Sequence, residues 1–496
     1  STPFSYVVKG FPEIYVCLEY IKENFPLVFE DKFVYSKYCY DMEICLANKV
    51  ASLLIRTADD QLRNLNLPKV INEIQTDTDI ILTQEQHDAL KGCLENHISV
   101  ITGGAGCGKT TLIKQIVRNL IYRKEEFVMT SFTGKAVLKI KEILGKELEK
   151  HCFTMSLLIQ KKKFKGGAPR FDTLIIDESS MISGAHLYEF LQYYKHTFKI
   201  IFVGDANQLP PIGLCSVFKE IIISGKVPVY YLNENKRIIN NLKSSNILLN
   251  ANRLIEKGRD LTNDFKFFTG KGFEVLEGQK EMCYSIINAL AKKGVGMDEV
   301  TVLTPYNKDI DEINKYAQSI YLKGIDVYQY GKRGFIMGDR MMQTANVYSE
   351  EGEVMNGEEG KIIGITGDSL TIRFNKEKII EYKWNDDKKF NRDYRPDEDV
   401  WDNESSEKEF YTCDLKHSFC KTVHKSQGSE YDYVIIYLPP SGGKGSFVNI
   451  NLLYTAITRT KKTVWLVVDN DTLIRASRTP LGFRCDRLAD RIKEIC

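Results

Sequence analysis

Short apolar runs, each followed by polar turn residues and then by apolar positions at helical spacing, recur along most of this chain. Ile98-Ser99-Val100-Ile101, Phe127-Val128-Met129-Thr130, Thr173-Leu174-Ile175-Ile176 and Lys199-Ile200-Ile201-Phe202-Val203 have the length and apolar continuity of buried strands. After the first of them, Leu112, Ile113, Ile116, Val117, Leu120 and Ile121 keep helical spacing. The pattern restarts at Val300-Thr301-Val302-Leu303 and continues at Tyr433-Val434-Ile435-Ile436-Tyr437 and Val464-Trp465-Leu466-Val467-Val468. Strands alternating with helices predict two α/β units with parallel sheets. Ahead of them, Tyr15, Leu18, Tyr20, Ile21 and Phe25, then Ile44, Leu46, Ala47, Val50, Leu53 and Leu54, predict a small helical domain over residues 1–80, with Asp77-Thr78-Asp79 as a hinge.

Two interruptions of the pattern predict insertions. Lys161-Lys162-Lys163-Phe164-Lys165-Gly166-Gly167 carries a hairpin signal with basic residues around one aromatic, so residues 153–171 read either as a pin that packs Phe164 on a terminal base pair or as a solvated charged loop. Short alternating segments from Lys361 to Ile365, Ser369 to Phe374 and Lys378 to Tyr382 predict a small β-barrel within residues 346–410. The run from Asn385 to Glu409 is charged and poor in apolar residues, and reads as a mobile loop.

Composition narrows the class. At 496 residues the chain exceeds one core, and 43% hydrophobic with 27% charged residues is ordinary for a globular protein. Basic and acidic residues nearly cancel, 68 against 66, so any nucleic-acid site is a local patch. The twelve cysteines form no C-x-x-C pair and no metal-ligand spacing with the seven histidines. They read as reduced thiols of an intracellular protein in the cytoplasm or nucleus. No apolar run spans a bilayer and no signal peptide is visible, so no membrane partner is expected.

The chemistry starts at Gly103-Gly104-Ala105-Gly106-Cys107-Gly108-Lys109-Thr110, which fits G-x-x-x-x-G-K-[ST] between a strand and a helix. Backbone N–H groups of such a loop, with Thr111 after it, cradle phosphates at a helix N-terminus; Lys109 supplies charge and Thr110 a hydroxyl for Mg²⁺. Gln86, one helix ahead, has an amide able to read adenine. Asp177-Glu178 at a strand end suits Asp177 to Mg²⁺ and Glu178 to the attacking water. Gly204-Asp205-Ala206-Asn207-Gln208-Leu209-Pro210-Pro211 offers Gln208 as a γ-phosphate sensor, and Arg237 is placed to stabilise phosphoryl charge. Thr133 and Lys135 after the second strand, and Thr304 and Asn307 in the loop after Val300–Leu303, are candidates for a nucleic-acid backbone. So are the hydroxyls, His and Lys of the His417–Glu430 stretch.

In combination, the P-loop, Thr133-Gly134-Lys135, Asp177-Glu178, Gly204-Asp205 with Gln208 to Pro211, and Glu234-Asn235-Lys236-Arg237 resemble superfamily 1 helicases of the RecD-like branch, over roughly residues 80–469. The resemblance implies two tandem RecA-like domains, residues 81–238 and 239–345 with 411–496, and an SH3-like subdomain in the β-barrel position. It implies ATP and Mg²⁺ as cofactors and movement 5′ to 3′ on single-stranded DNA at a duplex fork, with RNA as an alternative strand. By the same resemblance Thr422 and His424 face nucleic acid, Gln427, Gly428 and Glu430 face nucleotide, and Arg459 is an arginine finger from the second domain. Phe153-Thr154-Met155-Ser156 departs from the family's Thr-Val/Ile-His run, and Cys107 introduces a thiol into the P-loop. Three functions compete: a DNA helicase, a viral-type superfamily 1 RNA helicase, and an ATPase subunit that works on nucleic acid with a protein partner bound through the N-terminal domain.

Overall fold

The computed structural model describes residues 26–30, 33–56, 82–163, 168–196, 198–234, 246–257, 266–349, 352–375, 378–384, 410–440, 448–479 and 486–496. Two parallel sheets organise them. The first has the order Cys152–Thr154, Phe127–Ser131, Thr173–Asp177, Lys199–Gly204, Ile98–Gly103, Val229–Leu232, every pair parallel. Its strands are apolar on both faces because both faces are covered. Ile200, Phe202, Leu174, Ile176, Val100 and Val128 enter one core. Ile201, Val203, Ile175, Ile101 and Met129 enter the other, beneath the helix Lys109–Tyr122. The second sheet has the order Cys420–Thr422, Val300–Thr304, Tyr431–Tyr437, Thr460–Val467, Phe273–Leu276, again all parallel. The architecture is thus α/β with tandem RecA-like domains.

The ends of the chain depart from the expected division. The described N-terminal residues form a hairpin, Leu27–Glu30 with Phe33–Ser36, and the helix Lys37–Ile55. Met42, Leu46, Ala47, Val50 and Leu53 of that helix enter the first-domain core instead of a core of their own. The final helix, Leu488–Ile495, was expected with the second domain, yet Leu488 and Ile492 enter the same first-domain core. Arg491 fixes it there: its Nε donates to Glu43 at 2.9 Å, and its terminal nitrogens donate to Glu30 at 3.0 and 2.8 Å. These paired charges lie sequentially far apart, where neither periodicity nor spacing reports them. The first predicted N-terminal helix, Tyr15 to Phe25, lies outside the described residues.

Both insertions are also redrawn. Met155–Lys163 is a helix, with Met155, Leu158 and Ile159 buried and Lys161 to Lys163 in the last turn, where cations suit the helix dipole. A hairpin strand is therefore absent from that stretch, and Phe164 and the Gly pair lie outside the described residues. The β insertion is a five-stranded antiparallel sheet, Ile379–Lys383, Ser369–Arg373, Glu359–Ile365, Arg340–Gln343, Leu415–His417. It has its own core of Phe335, Met341, Leu370, Ile372, Ile380 and Tyr382. Two of its strands lie beyond 346–410, because the backbone that leads in and out of the insertion pairs with it. The charged run 385–409 lies outside the described residues.

Candidate functional site

The P-loop joins Ile98–Gly103 to Lys109–Tyr122 through a curl that glycine permits. Gly108 has φ +76°, and a Cβ there would lie 2.3 Å from Gln86 Nε2. Lys109 Nζ donates to the carbonyls of Gly103 at 2.5 Å and Gly104 at 2.8 Å, which lays the side chain over the loop. Gln86 is buried as part of a capping box on the helix Gln84–Glu95: its Oε1 accepts from Thr83 N–H at 3.1 Å, and its Nε2 donates to Cys107 O at 3.2 Å. It thus tethers the helix to the P-loop. Cys107 is only 5% exposed and burial pushes its thiol pKa up, so the P-loop thiol is shielded.

Four side chains of the first domain and one of the second converge on a cavity of about 350 Å³ over this loop. Lys109, Asp177, Glu178 and Gln208 line it from one side, Arg459 from the other, with Thr110, Thr111, Gly428 and Glu430 along its walls. Burial, and then the charge of Glu178, raise the Asp177 pKa to about 6. A carboxylate in that position gains from a bound cation. Glu178 has φ +50°, a left-handed conformation that an acidic residue rarely adopts. Ser179 pins the turn that imposes it, donating to Ile176 O at 2.6 Å and accepting from Val203 N–H at 3.2 Å. Arg459 is buried and held by its own domain, donating to Thr455 O at 3.0 Å, Thr458 Oγ1 at 3.2 Å and Ser429 O at 3.3 Å. Gln427 is turned to the domain junction, 3.5 Å from Leu209 O.

The predicted strand-binding residues divide into two groups. Thr304 and Thr422 are register partners at the C-terminal ends of adjacent strands, with Asn307 exposed beyond them and His424 in the short helix that follows, but the Thr304 side chain is fully buried and presents nothing to a strand. Burial lowers the His424 pKa, so the ring is neutral and would bind by hydrogen bonds instead of charge. Thr133, by contrast, spends its hydroxyl capping the helix Gly134–Leu144, accepting from Ala136 N–H at 3.3 Å. Lys135 is engaged elsewhere. Its Nζ donates to Glu359 Oε1 at 2.5 Å, inside a cluster where Arg340 and Lys421 donate to Glu359 Oε2 at 2.9 and 2.6 Å and the Tyr431 hydroxyl donates to Oε1 at 3.0 Å. A lysine engaged by a carboxylate in this way joins the two domains. Arg237, like Phe164, lies outside the described residues.

Residues that sequence reasoning passed over bridge the cleft. Helix Ile450–Ile457 of the second domain reaches the loop carrying Gln208: Thr455 Oγ1 accepts from Leu209 N–H at 2.9 Å, Asn451 Nδ2 donates to Asn207 O at 2.8 Å, and Tyr454 Oη donates to Asp205 Oδ2 at 2.9 Å. Polar residues on a helix otherwise buried all round were the available signal.

Comparison with known proteins gives this geometry a family. Residues 86–214 match an AAA domain and residues 417–467 a UvrD-like helicase C-terminal domain, the two segments that line the cavity. The chain is 23% identical over 384 residues to the ATP-dependent RecD2 DNA helicase of Deinococcus radiodurans, covering 77% of this chain and 48% of that protein. It is 26% identical over 528 residues to the RecBCD enzyme subunit RecD of Buchnera aphidicola subsp. Acyrthosiphon pisum, covering 90% and 81%. It spans less than half the length of two of its curated relatives, the Deinococcus protein among them. A Pif1 helicase structure, described for DNA unwinding at forked double-stranded DNA, shares the fold at a TM-score of 0.50 and 17% identity, covering 80% of this chain and 97% of the other. With a cleft lined by both matched segments and relatives of this kind, the chain is similar to superfamily 1 helicases of the RecD-like branch.

Proposed function

We propose that this protein is an ATP-dependent DNA helicase that moves 5′ to 3′ along a single strand. One observation carries the reading: Arg459 of the second domain and Lys109, Asp177, Glu178 and Gln208 of the first line a single cavity. Hydrolysis at such a site depends on how closely the domains approach, which is what converts turnover into movement.

The residues fit a nucleotide with Mg²⁺. Among the described residues no group of three or more His, Cys, Asp or Glu is placed to hold a metal. Magnesium needs no such cage, since one or two protein oxygens suffice beside water and phosphate. Thr110 and the enclosed Asp177 would hold it, and when bound it would neutralise charge on the phosphates. Lys109 swings from its loop carbonyls to the outer phosphates. Glu178, fixed in its left-handed turn, takes the proton of the attacking water, and the buried Gln208 amide orients that water. Arg459 stabilises the charge that develops on the transferred group.

Thr422, His424 and Asn307 form the second domain's share of the strand track, and the wholly buried Thr304 has no surface to offer it. A neutral hydroxyl, an amide and an uncharged ring suit sugar–phosphate contacts that tolerate sequence. DNA is preferred to RNA because the Deinococcus relative is named a DNA helicase.

The test is unwinding of four partial duplexes, with a 5′ or a 3′ tail, each in DNA and in RNA. Opening of the 5′-tailed DNA alone is the expected result. Opening of the 3′-tailed forks would refute the polarity, and preference for RNA forks would move the protein to the viral-type reading. ATP hydrolysis stimulated by single strands without any unwinding would favour a partner-dependent subunit, as the RecD name of the Buchnera relative suggests.

A further inference from the structure

One buried link between the two domains has no part in that scheme so far. Tyr454 is 2% exposed in the second-domain helix Ile450–Ile457, and its Oη donates to Asp205 Oδ2 of the first domain at 2.9 Å. The same oxygen accepts from Gln208 Nε2 at 3.4 Å. Asp205 also holds the intervening backbone: its Oδ1 accepts from Asn207 N–H at 3.0 Å, and its carbonyl accepts from Gln208 N–H at 3.2 Å. Asp205 is therefore the anchor of the Gln208 loop, and Tyr454 is the second domain's hand on that anchor.

Gln208 has its own unmet requirement. Its Oε1 is buried without a hydrogen-bond partner among the described residues, although the side chain lines the cavity with Asp177 and Glu178. An orphan acceptor is costly unless a donor arrives. Water donates and a phosphate oxygen does not, so Oε1 is suited to a water held for attack, with Nε2 kept by Asp205. Tyr454 also lies beside the P-loop, where the missing side chain of Gly104 leaves room for its hydroxyl: a Cβ there would come within 3.0 Å of Oη. Burial and the neighbouring Asp205 carboxylate push its phenol pKa up, so it remains a donor at working pH.

We propose that Tyr454 is a positioning residue that sets the Gln208 amide through Asp205, so that the second domain orients a hydrolytic side chain of the first. The inference rests on the ATP-hydrolysis reading of the cleft. It makes water positioning, and not only delivery of Arg459, depend on the approach of the two domains.

Tyr454→Phe deletes one oxygen and keeps the ring in its packing. In the full chain, strand-stimulated kcat should fall roughly tenfold to a hundredfold, the range expected for losing a hydrogen bond to a charged group. The KM for ATP should stay within about twofold, because ground-state nucleotide contacts are untouched. In a Gln208→Ala background the same change should cost less than about twofold more, since both changes cut one path. Wild-type kcat in Tyr454→Phe would overturn the proposal. So would a full, independent loss on top of Gln208→Ala, or a loss of kcat that tracks a lowered melting temperature, which would mark Tyr454 as structural only. A wild-type protein that hydrolyses no ATP, with or without single strands, would overturn the cleft reading itself and the proposal with it.

Discussion

Glu359 is the residue whose removal should damage the fold most for the fewest atoms changed. Its carboxylate is met by Lys421, Arg340 and Lys135, with side-chain exposures of 1%, 7% and 28% against 14% for Glu359 itself. Burial alone would push the Glu359 pKa up, but the three cations outweigh it and hold the group well below its ordinary value of 4.5. Glu359→Gln keeps the shape and deletes the carboxylate that these cations share, leaving Lys421, Arg340 and Lys135 facing one another. Breaking a buried ion pair from one side costs about 3–5 kcal/mol. Against a domain stability of roughly 5–15 kcal/mol, that is a large share. Urea unfolding followed by tryptophan fluorescence should show the unfolding free energy falling by that amount, with the midpoint lowered in proportion. The pH dependence has a fixed sign: with the folded-state pKa depressed, the stabilisation is complete above pH 4.5 and is lost as pH falls through the lower folded value. Glu359→Gln should therefore flatten the acid limb of the stability profile. Lys135→Met, which removes the most exposed partner, should cost about 1 kcal/mol or less. A Glu359→Gln protein within about 0.5 kcal/mol of wild type, with an unchanged acid limb, would refute the argument that the carboxylate neutralises the cluster.

The nucleotide site yields three further expectations. Lys109→Ala should abolish ATP hydrolysis while leaving single-strand affinity within a few-fold, measured by fluorescence anisotropy with a labelled oligonucleotide; normal turnover would remove Lys109 from the site. Arg459→Ala should lower kcat by about a thousandfold or more while ATP still binds, because the residue acts on charge developed in the transition state; a rise in KM alone would make it a binding residue. Cys107, buried in the P-loop with its thiol pKa pushed up, should resist iodoacetamide near neutral pH while the exposed Cys496 is alkylated. Loss of ATPase in step with Cys107 labelling, followed by mass spectrometry, would contradict that shielding.

What the sequence made legible follows from how far a residue's role reaches along the chain. Lys109 and Thr110 act within a strand–loop–helix unit, and Asp177 and Glu178 sit where one strand ends, so local pattern and chemistry identify them together. Arg459 was reached only through resemblance, because the residues it shares the cavity with, Lys109, Asp177 and Glu178, lie across the cleft and far away in sequence. Lys135 shows why the same logic fails elsewhere. A lysine after a strand suits a phosphate backbone on local grounds, yet its partner is Glu359, 224 positions later. The final helix was misassigned for the same reason, since Arg491 meets Glu43 448 positions earlier. Met155–Lys163 differed for another reason: the basic run suggested an insertion, while burial of Met155, Leu158 and Ile159 against the first-domain core favours a helix, and the Gly pair behind the hairpin reading lies outside the described residues. The first-domain residues proposed to meet nucleotide are thus those with local signatures. Those that transmit domain approach to them, Tyr454, Thr455 and Asn451, contact a loop about 245 positions away in sequence and have no motif spacing to betray them. A motif-based reading therefore recovers the chemistry of this protein better than its coupling, and mutations that separate hydrolysis from unwinding should fall on that second set.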